Sequence, residues 1–213
     1  DAQESRGLGD VYKRQMLHIP SAAHRRFVRI VLPVAPWVFG CAGAAYALLP
    51  QLLSKSAGDA PIAFSGLMTV ITLGCGVGIQ MLGKVIDTSR SARASAVAMG
   101  VITVGTILGA VASHTRSLPL GIAGAAVMGA GYGLALVAGL SEVQRIARAE
   151  ELAGLTAVYY SVSYTGFFIP MAFSALAPLL GFTTLFLIGA VLALCCLVNV
   201  VLGWRAHLPG PVR

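Results

Sequence analysis

Apolar residues in this chain come in long unbroken blocks, not in the one-faced stripes of a soluble helix. Six blocks stand out, at 29–53, 60–83, 94–113, 118–141, 152–177 and 181–203. Each is near or above the roughly 20 residues that a helix needs to cross a hydrocarbon core. None alternates like a barrel strand, so the backbone has to satisfy its own hydrogen bonds as helix. The pattern predicts an all-α membrane protein with six transmembrane helices. Two links, SKSAGD at 54–59 and HTRS at 114–117, are short enough to make the helices they join antiparallel neighbours.

Charge follows the blocks. The chain is 57% hydrophobic and only 11% charged, whereas a soluble domain carries roughly 25% charged residues. The formal net charge of +7 is spread over the links, so it reads as topology and not as a footprint for nucleic acid. Arg25, Arg26, Arg29, Lys84, Arg90, Arg93, Arg145, Arg148, Arg205 and Arg213 fall on one side of the alternating spans, and only Lys55 and Arg116 on the other. The positive-inside rule then puts both termini in the cytoplasm. The expected setting is the cytoplasmic (inner) membrane, crossed several times, with the lipid bilayer as the main partner. Trp204 stands where an interfacial anchor is expected, while Trp37, about two turns into the first block, packs or faces a cavity.

The interior of the blocks offers little reactive chemistry. After Met16 the acids are Asp59, Asp87, Glu142, Glu150 and Glu151, all in links or at block ends, and no Lys, Arg or His lies at mid-block. An ionised group there costs about 2.5–3.5 kcal/mol on an insertion scale. Paired carboxylates, a nucleophile beside a base and a ligand cluster are all missing from the blocks. The chain is therefore expected to be no enzyme and to take no metal or cofactor. Cys41, Cys75, Cys195 and Cys196 lie inside blocks without a C-x-x-C spacing and read as small packing residues.

The polar content inside is uncharged. Tyr160 and Tyr164 are four apart and share a helix face. Tyr46, Thr69, Thr72, Tyr132, Tyr160 and Tyr164 are the candidates for lining a cavity that takes an aromatic or amphipathic solute. The competing role for these hydroxyls is to join helices or to sit at the interface. Gly74 and Gly78, Gly105 and Gly109, and Gly129 and Gly133 are pairs spaced by four, which lets helix backbones come close. GCGVG at 74–78 and GAGYG at 129–133 lack the Lys-Ser/Thr ending and the preceding strand of a phosphate loop. Pro33, Pro36 and Pro170 predict kinks.

The link GKVIDTSRSAR at 83–93 resembles the Gly-x-x-x-Asp-Arg-x-Gly-Arg-Lys loop signature of the major facilitator superfamily. Gly83 and Asp87 match in spacing; Thr88 stands where that family has arginine, and Arg90 and Arg93 are displaced. With six spans, a basic link after every second span and a glycine-rich fourth span, residues 27–204 resemble the C-terminal half of a facilitator. The resemblance implies two inverted three-helix repeats, 27–113 and 118–204, and a missing N-terminal six-helix half. It also implies alternating-access transport of a small solute, with export the expected direction. Asp87 would sit at a helix end and act on the dipole of a helix in the other half, so it is expected to lack that partner here. Two other readings stand beside it: a six-helix homodimer with a structural role, and a membrane enzyme, which the lack of buried acids and histidines disfavours.

The polar head, with GDVYKRQM at 9–16, has no helical or strand period and no signal-peptide h-region. DVYKRQ resembles the in-frame translation of a transposon end used in sequencing libraries. Residues 1–15 are therefore expected to be foreign to the protein and 16–26 a remnant of the central loop, with 205–213 a cytoplasmic tail. The rival expectation is a true six-helix protein that starts at Met16. Topology is directly testable: reporters fused at Arg90 and at the C-terminus should report one compartment, and reporters at Lys55 and Arg116 the other. A shared compartment for Lys55 and Arg90 would overturn the six-span reading.

Overall fold

The computed structural model describes residues 19–58, 60–88 and 90–206. The head segment 1–15 and the tail beyond residue 206 lie outside the described residues. Six helices are long and apolar enough to cross a membrane. They are α1 (Phe27–Ala57), α2 (Pro61–Ile86), α3 (Arg93–Thr115), α4 (Leu118–Ile146), α5 (Leu152–Leu180) and α6 (Phe182–Gly203). Among the described residues there is no strand, only an isolated bridge between Thr88 and Ser91. The structure is thus all-helical. Proline opens α2, where its missing N–H would have had no helical partner anyway. Gly181, at φ 73°, turns the chain between α5 and α6 in a conformation that a β-carbon would strain.

Hydrophobicity gives helices little reason to meet inside lipid, so close backbone approach has to hold them. Helix α4 supplies that approach on several sides. A Cβ on Gly129 would run into the backbone of Thr72, and one on Gly133 into the carbonyl of Gly76, so α2 lies directly on α4. Farther round α4, Gly105 of α3 faces the backbone of Met128, and Gly131 of α4 faces Ile102. Near the ends of α4, Gly121 receives Leu53 of α1, and Gly139 receives the ring of Tyr159 of α5. Gly109 makes room on α3 for Phe186 of α6, 2.9 Å from where its Cβ would stand. One pair of the expected glycines needs correction. Gly74 and Gly78 are exposed and have nothing within 4 Å of an added Cβ. On α2 the contact falls to Gly76, between them, because α4 sits against the opposite face.

The helix contacts form a nearly regular set. Helix α4 touches α1, α2, α3 and α5; α1 also touches α2, α3, α5 and α6; α6 also touches α3 and α5; and α2 touches α3. Exchanging α1 with α4, α2 with α5 and α3 with α6 returns this set except for the α1–α3 contact, whose counterpart α4–α6 is not among the main contacts. The two least buried helices, α2 at 22% and α5 at 11% of their apolar window, are partners under that exchange.

Two helices are irregular, each next to proline. In α1 the turns Phe27–Val31 and Ala44–Leu48 are π-helical and sit just before Pro33 and Pro50. In α5 the turn Thr165–Phe167 tightens to 3₁₀ before Pro170. A proline withholds its N–H from the carbonyl four residues back and crowds it, so the preceding turn widens or narrows. The carbonyl that Pro33 leaves short is that of Arg29, and Asn199 of α6 donates Nδ2 to it at 2.7 Å. The two irregular helices cross where Gly166 meets the Pro36 carbonyl and Gly40, and where Gly43 meets Pro170.

Valine at Gly129 or Gly133 overfills a backbone contact and should cost about 1–3 kcal/mol or more. Alanine at Gly74 or Gly78 should stay within about 0.5 kcal/mol. Melting of the detergent-purified chain reads both, and an equal loss for Gly78→Ala would contradict the α2–α4 packing.

Candidate functional site

The described residues place two polar assemblies on the bundle: an aromatic face on α1 and α5, and an ionic cluster at the end where residues 26, 87, 142 and 204 meet. The aromatic face starts from α5. Tyr160 and Tyr164 lie one turn apart with ring centroids at 6.2 Å. Tyr164 also stacks on Phe39 of α1 at 5.0 Å, and Phe39 on Phe167 at 4.8 Å. Phe167 belongs to the 3₁₀ turn before Pro170, so the proline-induced break helps to bring it over Phe39. Tyr164 is 53% and Phe167 45% exposed, so the stack presents a ring face outward. Such a surface can hold a flat apolar or cationic group by stacking.

The other residues marked in the sequence fall elsewhere. The ring of Tyr132 lies against Gly76, within the α2–α4 contact. Thr72 is fully buried in the same contact and donates to the Met68 carbonyl at 2.8 Å. Thr69, half-buried, donates to the Ser65 carbonyl at 2.9 Å. Tyr46 is half-buried on the second π turn of α1. Tyr159, not among the cavity candidates, is fully buried; its hydroxyl donates to the carbonyls of Ala135 and Leu136, both at 3.3 Å. Its neighbour Tyr160 is the one that turns outward. Trp37 is buried and forms part of an apolar cleft between α1 and α6.

The ionic cluster was only partly legible. Arg26, read from sequence as one of several basic residues before the first span, is fully buried. Its Nε and Nη2 donate to Glu142 at 2.5 and 2.9 Å. Its Nη1 donates to the carbonyls of Ala206 at 3.0 Å and Trp204 at 3.4 Å, beyond the end of α6. Glu142 is a correction to the block boundaries. The fourth apolar block ends at residue 141, before the acid, but α4 runs on to Ile146 and buries Glu142. A carboxylate can stand there because Arg26 takes it bidentately, the strongest geometry for such a pair. Arg145 adds a second bond to Glu142 at 2.9 Å and also pairs with Asp87. Asp87 is thus engaged by a guanidinium of this same bundle.

The rest of the 83–93 link caps helices. Arg93 donates from Nε to the Ile86 carbonyl at 2.7 Å and from Nη2 to that of Val85 at 3.3 Å, closing the C-terminus of α2. Gly83 lies against Val137 of α4 at 3.0 Å from its would-be Cβ. Arg90 is exposed. The backbone of Ala92 donates to the Trp204 carbonyl at 2.8 Å, joining this link to the end of α6. The sequence signal for the cluster was an acid and a base at i and i+3, Glu142 and Arg145, closing an apolar run. What it lacked was any pointer to Arg26, 116 residues earlier.

Among the described residues no group of three His, Cys, Asp or Glu side chains is placed to hold a metal ion. All four cysteines are free thiols. Comparison with protein-family models, with curated proteins and with solved structures returns no match for this chain.

Removing Glu142 strands a buried guanidinium. Glu142→Ala should therefore cost about 3–5 kcal/mol. Asp87→Asn, at a partly exposed pair, should cost about 1 kcal/mol or less. The paired replacement Arg26→Met with Glu142→Leu should recover most of the larger loss. Thermal unfolding of the four chains checks this; equal, small effects of both single changes would mean that the buried pair does not hold the bundle's end.

Proposed function

We propose that this chain is one six-helix half of a secondary transporter of the major facilitator kind. It moves a small aromatic or amphipathic solute across the cytoplasmic membrane by alternating access against a second six-helix bundle. Both ends of the bundle's chain face the cytosol on this reading, as the bias of basic links favours. The observation that carries it is the near-complete exchange of helix contacts described above. A shift of three helices reverses direction across the membrane, and a contact set that survives it in all but one pair, α1–α3, is what two diverged inverted three-helix repeats leave behind.

Two further features support the same reading. The scarcely buried helices α2 and α5 are exchanged partners, which leaves equivalent faces free for a second bundle. The stacked rings of Phe39, Tyr164 and Phe167 lie on one of these helices and its neighbour, where a solute between two bundles would meet them. In this role the rings bind by stacking, and Tyr160 and Tyr164 add hydroxyls at the rim. The break at Thr165–Phe167 gives α5 a place to bend as access alternates. The ionic cluster, by tying α1, α4, the 83–93 link and the end of α6, keeps the bundle rigid while it rocks. No catalytic step is assigned to any residue.

A second reading fits the same free faces, a homodimer in which α2 and α5 are covered by another copy and no solute moves. Cysteine accessibility in intact membranes separates the two. In a cysteine-depleted chain, cysteines at Tyr164 and Phe167 should react with a water-soluble maleimide and be protected by a subset of flat aromatic solutes. Cysteines at Val104 and Val198, exposed on the lipid-facing helices, should stay unreactive. If Tyr164 is as inert as Val104, the solute-cavity reading fails; if it reacts only after the particle is dissociated, the homodimer takes its place.

A further inference from the structure

A groove of about 600 Å³ runs along the outside of the bundle between α1 and α6. Val28, Pro33 and Trp37 form its α1 side, and Leu192 and Cys195 its α6 side; Ile169 of α5, seated against Gly40, marks its inner end. The two ends differ in chemistry. At the outer end a second depression of about 460 Å³ shares Val28 and Arg29 with the groove and adds Arg25. Both arginines are exposed, and neither is paired with a carboxylate among the described residues. At the inner end Trp37, Ile169 and Leu192 also border a narrower apolar cavity of about 110 Å³ that reaches Ala44 and Phe186.

A cationic mouth, an apolar channel open to the side and an apolar pocket at its end make an amphiphile-shaped site. The distance matches as well. Arg29 to Trp37 is eight residues, about 12 Å of helix, against the roughly 15 Å of hydrocarbon in one leaflet of a ~30 Å core. We propose that this groove holds one anionic glycerophospholipid. Its phosphate lies at Arg25 and Arg29, and one acyl chain runs past Pro33 and Leu192 toward the apolar cavity. Two free guanidinium groups suit the several oxygens of a phosphodiester, and unpaired basic residues at a membrane surface draw anionic lipid. The second chain stays in the bilayer, which the open side of the groove permits. The site depends neither on the transport reading nor on a second bundle.

Native mass spectrometry of the purified chain tests it, after release from nanodiscs containing equal phosphatidylglycerol and phosphatidylcholine. One phosphatidylglycerol should be retained with at least a tenfold preference. The double variant Arg25→Gln with Arg29→Gln should bring the preference below about twofold. Leu192→Trp, which fills the groove, should lower retention of phosphatidylglycerol several-fold at unchanged melting temperature. If the double variant melts early, Leu192→Trp alone decides. Equal retention of both lipids, unaltered retention in the variants, preferential retention of oleate over phosphatidylglycerol in a competing mixture, or a lipid-free dimer would each overturn the proposal.

Discussion

The structure depends on how closely other helices can approach α4. Lipid tails are as apolar as leucine, so the six helices gain little from hiding side chains from water. Dispersion contact between backbones has to do that work, and it falls off within an ångström of separation. Gly129 and Gly133 bring α2 onto α4, while Gly131 and the facing Gly105 bring in α3. The two rows point in different directions around one helix, so α4 is packed from both sides at once. Gly121 and Gly139 then set the heights at which α1 and α5 are received. A larger side chain at these positions would separate backbones, and no compensating hydrophobic gain is available inside the membrane.

Once the helices are that close, broken backbone hydrogen bonds become the next constraint. A carbonyl without a partner in hydrocarbon costs several kcal/mol. The prolines of α1 and α5 create such carbonyls, and the bundle answers them locally and from across the groove. The π turns of α1 and the 3₁₀ turn of α5 rearrange the helix itself, and Asn199 reaches over from α6 to the Arg29 carbonyl. The irregular stretches also let Gly40, Gly43 and Gly166 bring α1 and α5 together. Irregularity, packing and the exposed aromatic stack therefore share one location.

At the ionic end the logic is electrostatic. Arg26 and Glu142 are buried, which is tolerable only because the guanidinium is almost fully used, by a bidentate carboxylate and by two carbonyls beyond the end of α6. Arg145 extends the network to Asp87 at the partly exposed rim. The cluster therefore joins four separate parts of the chain at one end of the bundle. It complements the α4 packing: contact by shape in the middle of the bundle, contact by charge at one end.

The division between sequence and tertiary structure follows from what is local. Whether a stretch dissolves in lipid is a property of some twenty consecutive residues. The six helices, their type and their approximate extents were therefore legible in the chain, as was the likeness of tyrosines four apart to a shared face. Which side of a helix meets which neighbour is not local. Nothing in the sequence separates Gly76 from Gly74 and Gly78, or Tyr159 from Tyr160, until α4 takes its place beside α2 and α5. Nor does an acid at the end of an apolar run announce that it is buried: Glu142 is inside because Arg26, far off along the chain, arrives to neutralise it. Solubility in lipid was written residue by residue, whereas the packing, the ion pair and the stacked rings exist only where separate helices touch.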